Sequence, residues 1–282
     1  MNLKILVCCH KDDIKVENDF YLPIHVGKNK SLNTLDILGD DTGNNISFKN
    51  ESYCELTGIY WAWKNLKNVD YIGLCHYRRY FNFKNSNFSL PSQTISSKKF
   101  NKLSFNIPSD LKTKLDQGII IVPKSESLKL SLYTDYCVWH YGEDLRRLEK
   151  IIKSMEDQSY TKAFDKVMYE NNLLLPYNMF IMSWQEFDKY CSWLFPLLEK
   201  MESSVDISNY NPYQKRIFGF LAERLFNIYI EASKLRFEES QIIFVSDEKI
   251  KPQILPIYKI KRLINNLVSK YASPPKKLFI NK

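Results

Sequence analysis

The 282 residues carry a net charge of +8, with 44% hydrophobic and 26% charged side chains, ordinary proportions for a globular protein that buries a substantial core. The charge is uneven: residues 249–282 hold nine basic side chains and no acidic one, which leaves residues 1–248 at about −1. A near-neutral body argues against nucleic acid as the partner, and six cysteines without a CxxC spacing argue against a disulfide framework.

Leu3–Cys9 reads as a first strand, too short for a signal peptide and followed at once by His10, Lys11, Asp12 and Asp13. No run reaches the length of a membrane-spanning helix, and the six cysteines, mostly inside apolar segments, read as the reduced, buried thiols of a cytoplasmic protein. His10-Lys11 places a basic pair at the strand's carboxyl end. No glycine-rich loop comes after it, which removes the dinucleotide fingerprint and the P-loop. Tyr21–Gly27 is a second extended piece. Residues 39–50 form a polar loop in which Asp40, Asp41, Asn44 and Asn45 either read ribose hydroxyls and a base edge or make an ordinary turn. Asp40-Asp41 is also half of a metal site, with no third ligand nearby in sequence.

Ser52 and Glu55 have the spacing of a capping box, which assigns Glu55 to structure rather than chemistry. The helix they open carries Leu56, Ile59, Tyr60, Trp63 and Leu66 at helical spacing. Tyr71–Cys75 is a buried strand, and His76, Tyr77, Arg78, Arg79, Tyr80 and Phe81 come directly after it. Ligands of open α/β sheets bind at the carboxyl ends of strands. Two arginines there suit a diphosphate, or they pair with acidic neighbours. Residues 82–117 show no periodicity and read as an acceptor loop or lid.

Residues 118–123 are another strand, followed by helices over 131–155 and 161–170. The first helix carries Asp135, a candidate acid or base, and His140, which either ends the helix or touches ligand. Residues 175–182 read as a strand on which Asn178 faces an acceptor, followed by a helix over 185–201. A helix over 212–233 places Arg216, Gly219 and Glu223 on one face. Glu223 is a general base or an ion-pair partner of Arg78, Arg79 or Arg216. Residues 241–245 close the body. From Pro256, Ile257, Ile260, Leu263, Ile264, Leu267, Val268 and Tyr271 recur at helical spacing opposite Lys259, Lys261, Arg262 and Lys270. Such a basic amphipathic helix lies on an anionic membrane surface, or it packs on the body with a solvated basic face.

The strings His10-Lys11, Asp40–Ser47, Tyr53–Asn65, Asp70–Phe81, Tyr177–Met182, Tyr190–Phe195 and Arg216–Leu225 together resemble a family of bacterial capsule and O-antigen glycosyltransferases, long catalogued as a domain of unknown function. The helix rich in tryptophan followed by His-Tyr-Arg-Arg-Tyr-Phe is the most specific combination, and the resemblance spans about residues 3–235. It implies an α/β, GT-A-like nucleotide-sugar-binding fold with a mixed central sheet flanked by helices over residues 1–248; the basic amphipathic tail over 249–282 lies outside it and is read from its own residues. The resemblance also implies transfer of a sugar from a UDP-sugar, galactofuranose or another hexose, to a growing and lipid-linked surface glycan; with the basic tail on an anionic membrane, the protein is expected at the inner face of the plasma membrane. The donor would meet His10, Lys11, Asp40, Asp41, Asn45, His76, Arg78 and Arg79, and the acceptor His140 and Asn178. Glu223, Asp135 and Asp41 are the candidate bases. GT-A enzymes usually hold the diphosphate through a metal on an Asp-x-Asp. The two arginines stand where those carboxylates would, so no metal is expected, although His76 with Asp40 or Asp41 keeps one open. A non-catalytic glycan-binding or scaffold protein is the alternative.

Overall fold

The computed structural model describes residues 1–33, 35–84, 89–248 and 253–272. The strands in chain order are β1 (Leu3–Cys9), β2 (Tyr21–His25), β3 (Leu38–Gly39), β4 (Tyr71–His76), β5 (Arg79–Asn82), β6 (Ser92–Ile95), β7 (Ile119–Pro123), β8 (Glu126–Ser127), β9 (Leu173–Leu174), β10 (Phe180–Ser183) and β11 (Arg236–Val245). The helices are α1 (Asn50–Tyr53), α2 (Leu56–Asn65), α3 (Ser97–Phe100), α4 (Leu111–Asp116), α5 (Leu132–Trp139), α6 (Gly142–Lys153), α7 (Gln158–Phe164), α8 (Trp184–Glu202), α9 (Ile217–Ala232) and α10 (Leu255–Ala272). The chain folds into two compact units. One comprises residues 1–124, 177–192 and 236–252, and the other residues 125–176, 193–235 and 253–282.

The first unit is a mixed α/β sheet with helices. β4, β1, β2 and β3 run parallel in that spatial order, while β10 and β5 both pair antiparallel with β4, β10 along Tyr71–Leu74 and β5 at His76. β10 also pairs with β7, β7 with β11, and β11 with β5, so five strands close on themselves. β1 and β4 are apolar almost throughout because a central parallel strand is covered on both faces. Gly73 lets β4 and β10 meet: a Cβ there would lie 2.9 Å from Ile181 and 3.0 Å from the Phe180 carbonyl. One core runs from Ile5, Val7 and Tyr21 through Tyr80 and Phe81 to Phe100, Leu111 and Ile242. The segment expected to be irregular over 82–117 thus contains β6, α3 and α4 among its described residues, and the buried side chains of Phe100 and Leu111 join these elements to the core.

The second unit is helical apart from the β8–β9 ribbon. Leu132, Tyr133, Leu145, Leu148, Phe164, Leu194, Phe218 and Leu225 are all buried in it. The single helix expected over 131–155 is two. The backbone opens at His140 to φ −135 and ψ 173, and α6 restarts at Gly142. Ser131 caps α5, its hydroxyl accepting from the Thr134 amide at 3.3 Å. Among the described residues no helix is long and apolar enough to cross a membrane.

Candidate functional site

The four parallel strands of the first unit end on one edge. Cys8 pairs with His76, Cys9 with His25, and His25 with Gly39. The residues just beyond these ends, His10-Lys11, Val26-Gly27, Asp40-Asp41 and Tyr77-Arg78, therefore leave the sheet together. This is the edge where a sheet of this type offers backbone and side chains to a ligand.

Tyr77 organises the basic side chains there. The His10 ring meets it edge-on at 5.1 Å, Lys11 Nζ lies 5.9 Å from its centroid, and Arg78 Cζ lies 5.6 Å away. The two arginines differ. Arg78 donates through Nε and Nη2 to Asp13 Oδ2 at 2.9 and 2.6 Å. Arg79 lies 4.7 Å from the Tyr177 ring and 5.5 Å from the Phe244 ring, and it has no carboxylate partner among the described residues. Aromatic faces hold a guanidinium in place without neutralising it. The two alternatives at this pair are thus divided between its members: Arg78 has its acidic neighbour and Arg79 does not.

A strained turn supports Arg79. Tyr177 and Asn178 both adopt left-handed backbone, with φ of 72 and 52, where a tyrosine is uncommon. The expected strand over 175–182 therefore begins only at Phe180. The turn gives Arg79 the Tyr177 ring and sets the Tyr177 carbonyl 2.9 Å from His76 Nε2. Burial lowers the proton affinity of His76, against the pull of the Glu55 carboxylate, so the ring is neutral near pH 7 and donates one hydrogen bond. Asn178 donates through Nδ2 to Glu55 Oε1 at 2.7 Å.

That contact corrects the capping-box reading. The Ser52 hydroxyl donates to the Lys49 carbonyl, α1 ends at Tyr53, and Glu55 precedes α2 without capping it. Its carboxylate belongs to the His76–Asn178 group. Asp13, Glu55 and Tyr177 are thus members of the cluster that the sequence pattern does not single out. Asp13 carries one signal, a carboxylate three residues beyond His10 in a loop after a strand. His25 ends β2 fully buried, with neither ring nitrogen hydrogen-bonded among the described residues, and burial lowers its pKa.

The polar loop over 39–50 is occupied mainly with itself. Asp40 is fully buried; its oxygens accept from the Gly27 amide at 2.8 Å, the Lys28 amide at 3.2 Å and the Ser47 hydroxyl. It ties down the turn after β2, and the expectation that it reads a ribose is corrected on that ground. Asn45 accepts from the Ser47 amide at 3.1 Å and donates to the Gly43 carbonyl at 3.0 Å, which spends its amide inside the loop. Asp41 sits 3.6 Å from Lys28 Nζ. Among the described residues no group of three His, Cys, Asp or Glu side chains gathers as metal ligands. A cavity of about 270 Å³ bounded by Phe81, Phe83, Leu103 and Phe105 with Lys84 and Lys99 contains none of these side chains.

In the second unit Arg224, 4% exposed, binds two carboxylates: Asp135 at 3.4 Å and Glu223 at 3.1 Å. Glu223 thus has its own neighbour in sequence as an ion-pair partner, a pairing that helical spacing does not suggest. Burial raises the pKa of Asp135, while Arg224 pulls it down. His140 stacks on Phe220 at 4.1 Å and on Tyr213 at 5.7 Å, and its Nδ1 lies 3.3 Å from Gln214 Oε1. Burial and then Arg224 lower its pKa to about 4. Around it Trp139, 64% exposed, Tyr141 and Tyr213 present rings to solvent, with Gln214 Nε2 donating to the Trp139 carbonyl at 2.9 Å.

The family profile of a domain of unknown function, DUF4422, matches residues 4–234. Among solved structures the chain is similar to one described as the apo structure of the bifunctional glycosyltransferase WbbM. The identity is 32%, the TM-score 0.80, and the match covers 90% of this chain but 48% of that one. The chain thus spans about half the length of that relative. No curated protein matches.

Proposed function

The chain belongs to the DUF4422 family, and from that membership and the basic edge of its sheet we propose that it is a GT-A-like glycosyltransferase that takes its donor as a UDP-sugar. The observation that carries the reading is Arg79, a guanidinium held between two rings with no carboxylate on it among the described residues, at the edge where His10 and Lys11 also emerge. Departure of UDP leaves negative charge on the β-phosphate. Cations fixed before the reaction stabilise that charge without reorganising. Arg79 would bear most of it, with Lys11 and Arg78 beside it, and neutral His76 would contribute a hydrogen bond rather than charge. The arginines would do the electrostatic work that a metal does in other transferases, so the reaction is proposed to be metal-independent.

The relative's description as a bifunctional glycosyltransferase supports the reaction class. Galactofuranose or another hexose as the sugar, and a lipid-linked capsule or O-antigen glycan as the acceptor, extend the proposal. Asp135, Glu223 and Asp41 are the carboxylates proposed to take the acceptor's hydroxyl proton. Of these, Asp135 has the environment of a base: burial raises its proton affinity while Arg224 keeps it oriented and ionised. His140 and Asn178 remain proposed acceptor contacts.

The test is release of UDP from a panel of UDP-sugars, with and without a lipid-linked acceptor and with and without EDTA. UDP release that survives EDTA is expected; loss with EDTA overturns the metal-free mechanism. A second reading, a glycan-binding protein without transferase activity, is favoured by the exposed rings of Trp139, Tyr141 and Tyr213, which suit stacking on sugars. It predicts glycan binding with no UDP binding by calorimetry.

A further inference from the structure

Helix α10 is turned the wrong way for a protein surface. Its buried residues are Asn265 and Ser269. Its exposed residues include Ile257, Ile260, Leu263, Ile264, Leu267, Val268 and Tyr271, with Leu263 at 65% and Tyr271 at 78% exposure. A helix that merely covers a globular body does the opposite, placing its apolar stripe inward. The polar seam is specific. Asn265 Nδ2 donates to the Ser127 carbonyl at 2.7 Å, and the Ser127 hydroxyl donates to Asn266 Oδ1 at 3.5 Å. The helix is thus held on β8 of its own unit by hydrogen bonds while a continuous apolar stripe faces outward, larger than the scattered hydrophobics of an ordinary surface.

The charges define what covers the stripe. At about 100° per residue, Lys259 and Lys270 project along one border of it and Lys261 along the other. No acidic residue occurs between 249 and 282. Lysines on both shoulders of an apolar stripe let their stems follow the acyl boundary while the ammonium groups reach a phosphate layer. A second copy of this chain fits less well, because a two-fold pairing of the stripe would set lysine borders against lysine borders.

We propose that α10 docks the protein on an anionic lipid surface, lying in the interface plane with Ile260, Leu263, Ile264 and Leu267 inserted and Lys259, Lys261 and Lys270 at the headgroups. The helix would approach the lipid already folded and fastened, so binding would not carry the ordering cost of a disordered basic tail. Lipid docking does not depend on UDP-sugar binding, and its test does not use activity.

The test is co-sedimentation of the full chain with vesicles of phosphatidylcholine and phosphatidylglycerol, against vesicles of phosphatidylcholine alone. Strong binding to the mixed vesicles and weak binding to the neutral ones is expected. Ile260→Ser, Leu263→Ser and Leu267→Ser combined should reduce binding by about tenfold or more. Lys259→Glu, Lys261→Glu and Lys270→Glu combined should abolish the preference for anionic lipid. All six positions face solvent, so unchanged circular dichroism and melting temperature are expected and show that the fold persists. Equal binding to both vesicle types, or binding that both triple variants retain, overturns the proposal. So does failure to bind vesicles together with a dimer in light scattering that the serine variant dissociates, which would assign the stripe to a second copy.

Discussion

Arg79 and Arg224 are the same side chain put to opposite uses. Arg224 is buried between Asp135 and Glu223, its charge balanced twice over. Arg79 is held by the rings of Tyr177 and Phe244, which position it and leave its charge unspent. A buried guanidinium with two carboxylates is a structural member whose removal strands its partners. A guanidinium against aromatic faces is ready for an anion from outside. The contrast separates the arginine that holds carboxylates of its own unit from the one that would meet a substrate's charge directly.

Arg224→Ala should cost the most. It leaves Asp135 and Glu223 without their cation, and a loss of about 3 kcal/mol or more in urea unfolding is expected. A protein as stable as the parent would mean that Arg224 is no more structural than Arg79. Next is Arg79→Ala, which should leave the melting temperature nearly unchanged. UDP affinity in calorimetry should fall by about ten- to a hundredfold, the worth of a charged hydrogen bond of about 1.5–3 kcal/mol. Unaltered UDP affinity would sink the phosphate-clamp reading.

His140 gives a pH test of the second unit. Its folded pKa is lowered to about 4 from an ordinary 6.5, so between those values the unfolded chain binds more protons than the folded one. Stability attached to His140 is then complete above about pH 6.5 and is lost as pH falls towards 4, at most about 3 kcal/mol in all and less because solvent reaches the half-buried ring. His140→Phe keeps a ring between Phe220 and Tyr213 and should flatten that part of the stability–pH curve. A curve that matches the parent's would show that the ring titrates normally. Smallest is Arg78→Ala. Its pair with Asp13 is partly exposed, so less than about 1 kcal/mol of stability is at stake, with a weaker effect on UDP than Arg79→Ala.

Much of the edge cluster was legible because strands announce themselves locally. Leu3–Cys9 and Tyr71–His76 are short apolar runs, and in a parallel sheet the residues directly after such a run leave at the carboxyl edge. His10, Lys11, His76, Arg78 and Arg79 could be named from that rule alone. Glu55 could not. Its spacing from Ser52 matched a local capping motif, and only the turn at Tyr177-Asn178, more than a hundred residues away, shows where its carboxylate points. Asp40 failed in the reverse sense. Nothing in a polar loop reveals that one carboxylate will be fully buried under the amides of Gly27 and Lys28.

Residue order within a few turns is enough to specify the strands and helices of the sheet edge, the basic tail and the amphipathic period of α10. Tertiary structure alone decided which arginine is neutralised, that Glu55 joins His76 and Asn178, and that α10 buries Asn265 and Ser269 while its leucines and isoleucines face outward. Periodicity states that a helix has two faces. Which of them meets the protein depends on partners such as the Ser127 carbonyl, which stand far away in the chain.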